Sequence, residues 1–169
     1  MKRSILFTAL LSLCVFPTFS CQAPPPDHRE VNKQVAREIY AAVDAMDYDG
    51  IRALCAEDAV FRVDGMDEDY SPESLVEMIQ MFHAGFPDYV HVIDVLVAEG
   101  DWVAVKLTFH ATHEGEFQGV PATGNAVTYG GAHFGRIVDG LIREWWILEN
   151  DLSLMQQMGM ELGPVGAGT

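Results

Sequence analysis

The sequence predicts a single α+β domain in which helices come first and an antiparallel sheet follows. Apolar residues recur at helical spacing before Pro87 and at alternate positions after it. The length of 169 residues is that of one ordinary domain. The hydrophobic content of 49% is too high for a disordered chain, even with a formal net charge of −15. These observations together predict an acidic globular domain.

A secretory signal is predicted ahead of that domain. Lys2 and Arg3 precede a mostly apolar run over 5–16, which is too short to span a bilayer comfortably. We therefore expect residues 1–20 to be a signal peptide that directs the protein out of the cytoplasm.

Cys21 opens a Pro-rich tether over residues 21–29. A small residue, Ser20, before this cysteine resembles the processing site of bacterial lipoproteins, although Thr18 stands where that pattern usually has Leu. Lipidation at Cys21 would hold the protein at the cell envelope through an N-terminal lipid anchor. Ordinary signal-peptidase cleavage near Ser20, giving a secreted or periplasmic protein, is the alternative.

The helices are predicted from apolar spacing and capping residues. Apolar residues at helical intervals predict a first helix over 31–48, and Asp49-Gly50 separates it from a short second helix over 51–56. Ser71-Pro72 is typical of a helix start, and this third helix should end at Gly85. Asp151 is the predicted N-cap of a final helix that runs through Met158.

The strands are predicted from alternation and turn residues. Gly140 suits the left-handed position of a three-residue hairpin loop, Val138-Asp139-Gly140. The predicted strands cover 59–63, 90–98, 102–113, 126–137 and 141–149. The folded domain is expected over 30–160, followed by a flexible tail over 161–169.

The order of these elements resembles the nuclear-transport-factor-two-like fold. That resemblance implies a cone-shaped, curved antiparallel sheet wrapped around the N-terminal helices, with a C-terminal helix. It also implies an apolar pocket between the sheet and the helices.

A more specific resemblance covers residues 78–159. The ordered series of segments there is similar to the SnoaL-like polyketide cyclase, or ester cyclase, family. The matching segments are 78–88, 99–105, 113–117, Gly119-Val120-Pro121-Ala122-Thr123-Gly124, Arg136-Ile137-Val138-Asp139-Gly140, Glu144-Trp145 and 151–159.

The resemblance implies ring closure on polyketide esters by intramolecular aldol condensation, with no metal or organic cofactor. The family's histidine corresponds to His133, and the place of its catalytic aspartate falls on Ile147. An asparagine of some cyclases falls on Phe61. Isoleucine cannot accept a proton, so the sequence predicts an altered acid/base site in a more apolar pocket.

Strand geometry suggests a substitute base. A three-residue loop pairs His133 with Trp145 and Gly131 with Ile147, and the odd-numbered residues of both strands then share one face. Glu149 lies on that face, one pleat repeat beyond Ile147, and a carboxylate in an apolar pocket can act as a base. The alternative for Glu149 is a solvated acid at the strand's end.

The other polar and aromatic residues of this face have simpler interpretations. His133 is either a satisfied pocket group or a proton-transfer group. Tyr129 and Trp145 are expected to shape the cavity by packing. With Phe61 and Ile147 they form the predicted binding surface for a small hydrophobic molecule.

Composition and spacing argue against several other functions. The negative charge disfavours nucleic acid and anionic lipid as partners. His110 and His113 should face opposite sides of a strand, and the acidic run 64–69 lacks the spacing of a calcium loop, so no metal site is predicted. His83 and His91 are expected to be surface or turn residues. Cys55 is expected to be a small buried hydrophobe.

Three functions therefore remain open on sequence grounds. The first is a cofactor-independent cyclase or isomerase that uses His133 and Glu149. The second is a non-catalytic envelope protein that binds a small hydrophobic ligand. The third is an interaction domain that forms a homodimer through its sheet.

Overall fold

Four helices and five strands make up residues 27–161, the part of the chain that the computed structural model describes. The predicted signal peptide, Cys21 and the Pro-rich segment up to Pro26 lie outside the described residues, as do residues 162–169 of the predicted tail. In chain order the elements are α1 His28–Asp44, α2 Tyr48–Ala53, β1 Cys55–Val63, α3 Pro72–Gly85, β2 Val90–Glu99, β3 Trp102–Thr112, β4 Ala126–Val138, β5 Leu141–Glu149 and α4 Asp151–Gln157.

Helix α1 ends earlier than its apolar spacing predicts. Met46 has a φ of 56°, in the left-handed region that terminates a helix. The carboxylate of Asp47 then accepts a hydrogen bond from the Gly50 N–H at 2.9 Å and caps α2. The break therefore falls at 45–47 rather than at Asp49-Gly50, because a capping side chain outweighs the weak helix propensity of glycine.

The predicted N-cap is correct for α3 and wrong by one residue for α4. Ser71 and Ser74 form a reciprocal capping box at the start of α3, with Pro72 in the first position, as predicted. The N-cap of α4 is Asn150 and not Asp151, because the Asn150 side chain accepts the Ser153 N–H at 3.1 Å. Asp151 is instead the first helical residue.

The five strands form one curved sheet in the order β1-β5-β4-β3-β2. Strands β2 to β5 pair antiparallel, whereas β1 joins β5 in parallel at the end of the sheet. The connection from β1 to β5 contains α3 and three strands, which is long enough to return the chain in the same direction as a parallel pair requires. The predicted α+β fold with N-terminal helices and a C-terminal helix is confirmed.

The hairpin between β4 and β5 has a tighter turn than predicted. Val138 pairs with Leu141, and Asp139 and Gly140 have φ values of 52° and 78°, as a two-residue type I′ turn requires. A bulge follows, so His133 lies opposite Ile147 rather than opposite Trp145. The predicted register was therefore wrong by two residues. Since two residues are one pleat repeat, the predicted sharing of faces still holds.

The core lies between the inner face of the sheet and the helices. Alternate residues of β3 face this core, and Val103, Val105, Leu107 and Phe109 are each at most 2% exposed. Cys55 is also buried, as predicted, and its Sγ donates a hydrogen bond to the Ile51 carbonyl oxygen at 3.2 Å. The outer face of the sheet is covered by no described helix, and it carries the exposed Trp102 and Phe134.

Candidate active site

A cavity of about 740 Å³ separates the inner face of the sheet from helices α1, α3 and α4. Five of the predicted site residues line it, namely Phe61, His133, Trp145, Ile147 and Glu149. Tyr129 does not line the cavity and is instead buried behind it, with its ring stacked against Phe109 at 4.9 Å between centroids. The sequence therefore predicted His133, Trp145 and Glu149 in the cavity wall, but not its other polar residues.

His133 is fixed in the cavity wall by two neighbours that contact the same ring nitrogen. Its Nδ1 lies 3.1 Å from the Tyr40 hydroxyl of α1, and the indole Nε1–H of Trp145 donates to it at 3.4 Å. Indole nitrogen can only donate, so Nδ1 must act as the acceptor. In neutral His133 the proton is therefore on Nε2.

Glu149 is the carboxylate that faces this proton. Its Oε1 lies 3.5 Å from His133 Nε2, and its side chain is 18% exposed. Both side chains come from the inner face of the β4–β5 hairpin, where Gly131 is the direct partner of Glu149. The two residues that were predicted to share a face thus form a carboxylate–imidazole pair in the cavity wall.

The electrostatic setting keeps the imidazole neutral. Burial lowers the pKa of His133 below its usual range, and the Glu149 carboxylate acts against this shift. Burial also raises the pKa values of the Tyr40 and Tyr89 hydroxyls, which stay protonated. Tyr40 is therefore a hydrogen-bond donor to His133 Nδ1.

A glycine on β4 makes room for the indole that holds His133. A Cβ atom built on Gly135 would lie 2.1 Å from Cζ3 of Trp145, which is closer than atoms can approach. The Trp145 ring therefore lies directly over the backbone of β4, where only glycine leaves space for it.

A second histidine of the cavity was missed by sequence reasoning. His91 on β2 lines the cavity with its side chain 5% exposed, and its Nδ1 lies 2.5 Å from Oδ1 of Asp44 at the end of α1. His83 on α3 also lines the cavity and is buried. The expectation that His83 and His91 are surface or turn residues is wrong.

The misassignment of His91 has a physical cause. The flanking Val90 and Val92 are apolar, so alternation predicts that they face the core and that His91 faces solvent. In the structure Val90 and Val92 are exposed, and His91 lies inside, opposite Phe109 of β3. Its stabilising partner, Asp44, is 47 residues away in the chain, a separation that no local pattern reveals.

Residues 33–158 match the SnoaL-like polyketide cyclase family, which covers most of the chain. The chain belongs to this family. The resemblance seen in the segments of the second half is thereby confirmed and extended to the N-terminal helices.

Two curated relatives are cyclases of one kind. Aklanonic acid methyl ester cyclase DnrD of Streptomyces peucetius and aklanonic acid methyl ester cyclase DauD of Streptomyces sp. (strain C5) are each 32% identical to this SnoaL-like chain over 89 residues. The matched segment is 52% of this chain, and it spans only 61% and 55% of the two relatives.

Solved structures of similar fold cover more of the chain. AclR of Streptomyces galilaeus, for which a hydroxylase activity has been proposed, is 31% identical with a TM-score of 0.71, over 78% of this chain and 97% of its own. IdmH of Streptomyces antibioticus, for which a polyketide cyclase activity has been proposed, is 28% identical with a TM-score of 0.71, over 76% of this chain and 99% of its own.

Among the described residues, the charged side chains that line the mostly apolar cavity of this family member include four acids and neither Lys nor Arg. Asp64, Glu116, Glu149 and Asp151 all contribute to the described lining, which includes no Lys or Arg. Burial raises the pKa of Asp151, and the Glu149 and Asp64 carboxylates add to the effect. Such a lining disfavours an anionic ligand and suits a neutral one.

The described residues offer no site for a metal. Among residues 27–161, no group of three or more His, Cys, Asp or Glu side chains is placed to hold an ion. None of the helices described is both long and apolar enough to cross a bilayer.

Proposed function

We propose that this SnoaL-like protein is a cofactor-independent proton-transfer enzyme, a cyclase or isomerase that acts on a neutral, largely apolar ester. The observation that carries the proposal is the position of Glu149, whose carboxylate lies 3.5 Å from His133 Nε2 inside the cavity. The family's acid position corresponds to Ile147, and Glu149 is the next residue on the same strand face. The acid/base site is therefore moved along β5 rather than lost.

The proposed chemistry uses only side chains of the chain. Glu149 takes a proton from the carbon beside a carbonyl group, with the His133 Nε2–H facing its carboxylate at 3.5 Å. The resulting enolate carbon forms a bond to a second carbonyl carbon of the same molecule. The π bond of that carbonyl breaks, and its oxygen takes up a proton to become a hydroxyl group.

The substrate class follows from the cavity and the relatives. About 740 Å³ is enough for a multi-ring molecule, and the acidic lining favours an ester over a free carboxylate. DnrD and DauD are both named as cyclases of aklanonic acid methyl ester, which supports an ester as the first compound to test.

The test is conversion of aklanonic acid methyl ester by the purified protein. Glu149→Gln should lower kcat by about 10²- to 10⁴-fold, since it removes the base and keeps the shape. Glu99→Gln, at the exposed end of β2, is the matched control and should keep wild-type activity. An E149Q protein with wild-type kcat would contradict the role of Glu149.

The alternative is a non-catalytic protein that binds a small hydrophobic ligand. The presence of Ile147 at the position of the family's acid, in a mostly apolar cavity, favours it. Binding of the ester by calorimetry, without any conversion by the wild-type protein, would support this function over catalysis.

We also propose that the protein is exported and anchored through Cys21, on the strength of the leader sequence. Intact mass measurement of the mature protein should show loss of residues 1–20 and a lipid adduct on Cys21. Loss of the leader without an adduct would indicate ordinary cleavage.

Self-association through the sheet is proposed from its outer face. This face exposes apolar side chains on neighbouring strands, including Val97, Trp102, Phe134 and Leu148. Sedimentation equilibrium should give a homodimer, and a monomer at all concentrations would contradict the proposal.

A further inference from the structure

Asp44 and His91 form a second carboxylate–imidazole pair, of which His91 lines the same cavity. Asp44 Oδ1 lies 2.5 Å from His91 Nδ1, and the His91 backbone N–H donates to both carboxylate oxygens at 3.2 Å. The imidazole is therefore held from its backbone and from its ring by one carboxylate. The His91 side chain is 5% exposed, and it lines the cavity.

We propose that His91, held by Asp44, is the acid of this cavity and donates a proton from Nε2 to the oxygen of a bound carbonyl substrate. The catalytic role of His91 rests on the proposed function above. Which nitrogen of the His91 ring carries the proton does not depend on it. Asp44 acts through His91 and is a positioning residue.

The two histidines of the cavity present opposite ring nitrogens to their carboxylates. A carboxylate can only accept, so Nδ1 of His91 carries a proton and Nε2 is the nitrogen left for a ligand. His133 is reversed, because Trp145 donates to its Nδ1 and its Nε2–H faces Glu149. The Nε2–H of His133 faces Glu149 at 3.5 Å without a hydrogen bond, and the hydrogen bond of the His91 ring to Asp44 uses Nδ1.

The second pair lies at the same end of the cavity as the first. The Tyr40 ring centroid is 4.9 Å from that of His91 and 5.8 Å from that of His133. The Phe109 ring on β3 lies between β2 and β4, at 5.1 Å from His91 and 6.0 Å from His133. Tyr40, His91, His133 and Glu149 all line the cavity, so a substrate bound against Tyr40 would lie beside both histidines.

The carboxylate of Asp44 suits His91 to the acid's role. A protonated imidazole in an apolar cavity is costly unless a negative charge compensates it, and Asp44 supplies that charge. The groups that face His91 from the surrounding elements are Asp44 and Tyr40 of α1, His83 of α3, Tyr89 before β2 and His133 of β4.

The proton balance needs no co-reactant. Glu149 removes the proton from carbon, the carbon–carbon bond forms, and the carbonyl oxygen takes the proton from His91 Nε2. The enzyme is left with a protonated Glu149 and a neutral His91. Exchange with solvent through the open cavity restores the starting state.

The first test compares His91→Gln and Asp44→Asn with His110→Gln, an exposed control on the outer face of β3, in the ester conversion assay. H91Q should lower kcat by about 10²- to 10³-fold with KM near wild type, and should remove the alkaline limb of the pH profile. D44N should lower kcat by a smaller factor than H91Q, because His91 keeps its place but loses the carboxylate that orients it, and H110Q should match wild type. An H91Q protein with an unchanged profile would overturn the proposal.

A second measurement keeps the proposal testable without activity. ¹⁵N NMR of the histidine rings in the full chain should show His91 protonated at Nδ1 throughout a titration, with Nε2 gaining and losing the proton. The same ring in D44N should lose this preference. If wild type does not convert the ester, the proposed function fails and the NMR result decides the proposal. A neutral His91 that carries its proton on Nε2 would overturn it.

Discussion

Single hydrogen-bonding atoms decide what each residue of the cavity can do. Trp145 and Asp44 contact the same atom, Nδ1, in two different histidines, one as a donor and the other as an acceptor. The sequence predicts that His133, Trp145 and Glu149 share a face, and this holds because the shorter turn and the bulge together shift the register by two residues. It does not show which ring nitrogen is occupied, because that depends on distances that only the packed structure sets.

Buried neutral histidines should make the protein less stable in mild acid. Burial lowers the pKa of both His83 and His133, so the unfolded chain binds more protons than the folded one as the pH falls through about 6.5. The free energy of unfolding should therefore be highest above pH 7 and decrease below 6.5, by up to about 1.4 kcal/mol per pH unit for each histidine.

Urea unfolding between pH 8 and pH 5.5 measures this dependence. His133→Gln should flatten the slope, whereas the exposed control His110→Gln should retain it. Burial raises the pKa of Asp151, so its contribution to the free energy of unfolding changes with pH in the opposite direction. A stability that is constant or increases from pH 7 to pH 5.5 would contradict the prediction.

At the scale of elements, one glycine of strand β4 leaves the space that the Trp145 ring occupies. Gly135→Ala should destabilise the protein by about 1–3 kcal/mol, because the new methyl group collides with the Trp145 ring. The ring would have to move away from His133, so near-ultraviolet circular dichroism should change as well.

Gly130 on the same strand is the matched control. A Cβ built there would meet only the Leu107 carbonyl oxygen, at an ordinary 3.6 Å. Gly130→Ala should therefore leave the free energy of unfolding unchanged or slightly increased. Equal losses in the two variants would mean that the fit between Gly135 and Trp145 is unimportant.

The helices and strands were largely predictable from the sequence, whereas the contacts between elements that are distant in the chain were not. Ser71-Pro72 and Gly140 are local signals, and both mark real boundaries. The end of α1 was placed too late, because Tyr48 continues the apolar spacing across a left-handed Met46. The burial of His91 was missed, because the residue lies close to the Phe86-Pro87 turn and its partner Asp44 is 47 residues away in the chain.

At the scale of the whole molecule, the net negative charge determines how thermal stability responds to salt. The formal net charge is −15, and eleven acids lie between Asp44 and Glu77 against only Arg52 and Arg62. Screening this repulsion should raise Tm by a few degrees between low salt and 0.5 M sodium chloride, the range in which the Debye length shortens most. Thermal scans at several salt concentrations measure it.

A neutral osmolyte at matched osmolality is the control, since it does not screen charge. A Tm that falls with salt would mean that the surface ion pairs, such as Arg52 with Glu73 and Arg143 with Asp58, outweigh the net repulsion.

One turn of helix α1 supports both carboxylate–imidazole pairs. Tyr40 and Asp44 are four residues apart, so they project from the same side of the helix, one toward His133 and the other toward His91. Fraying of that last turn would remove the Tyr40 and Asp44 contacts together, leaving His133 held by Trp145 alone and His91 without its carboxylate. The two pairs are therefore expected to order and disorder as one cooperative unit, with amide hydrogen exchange of the α1 C-terminus reporting on both.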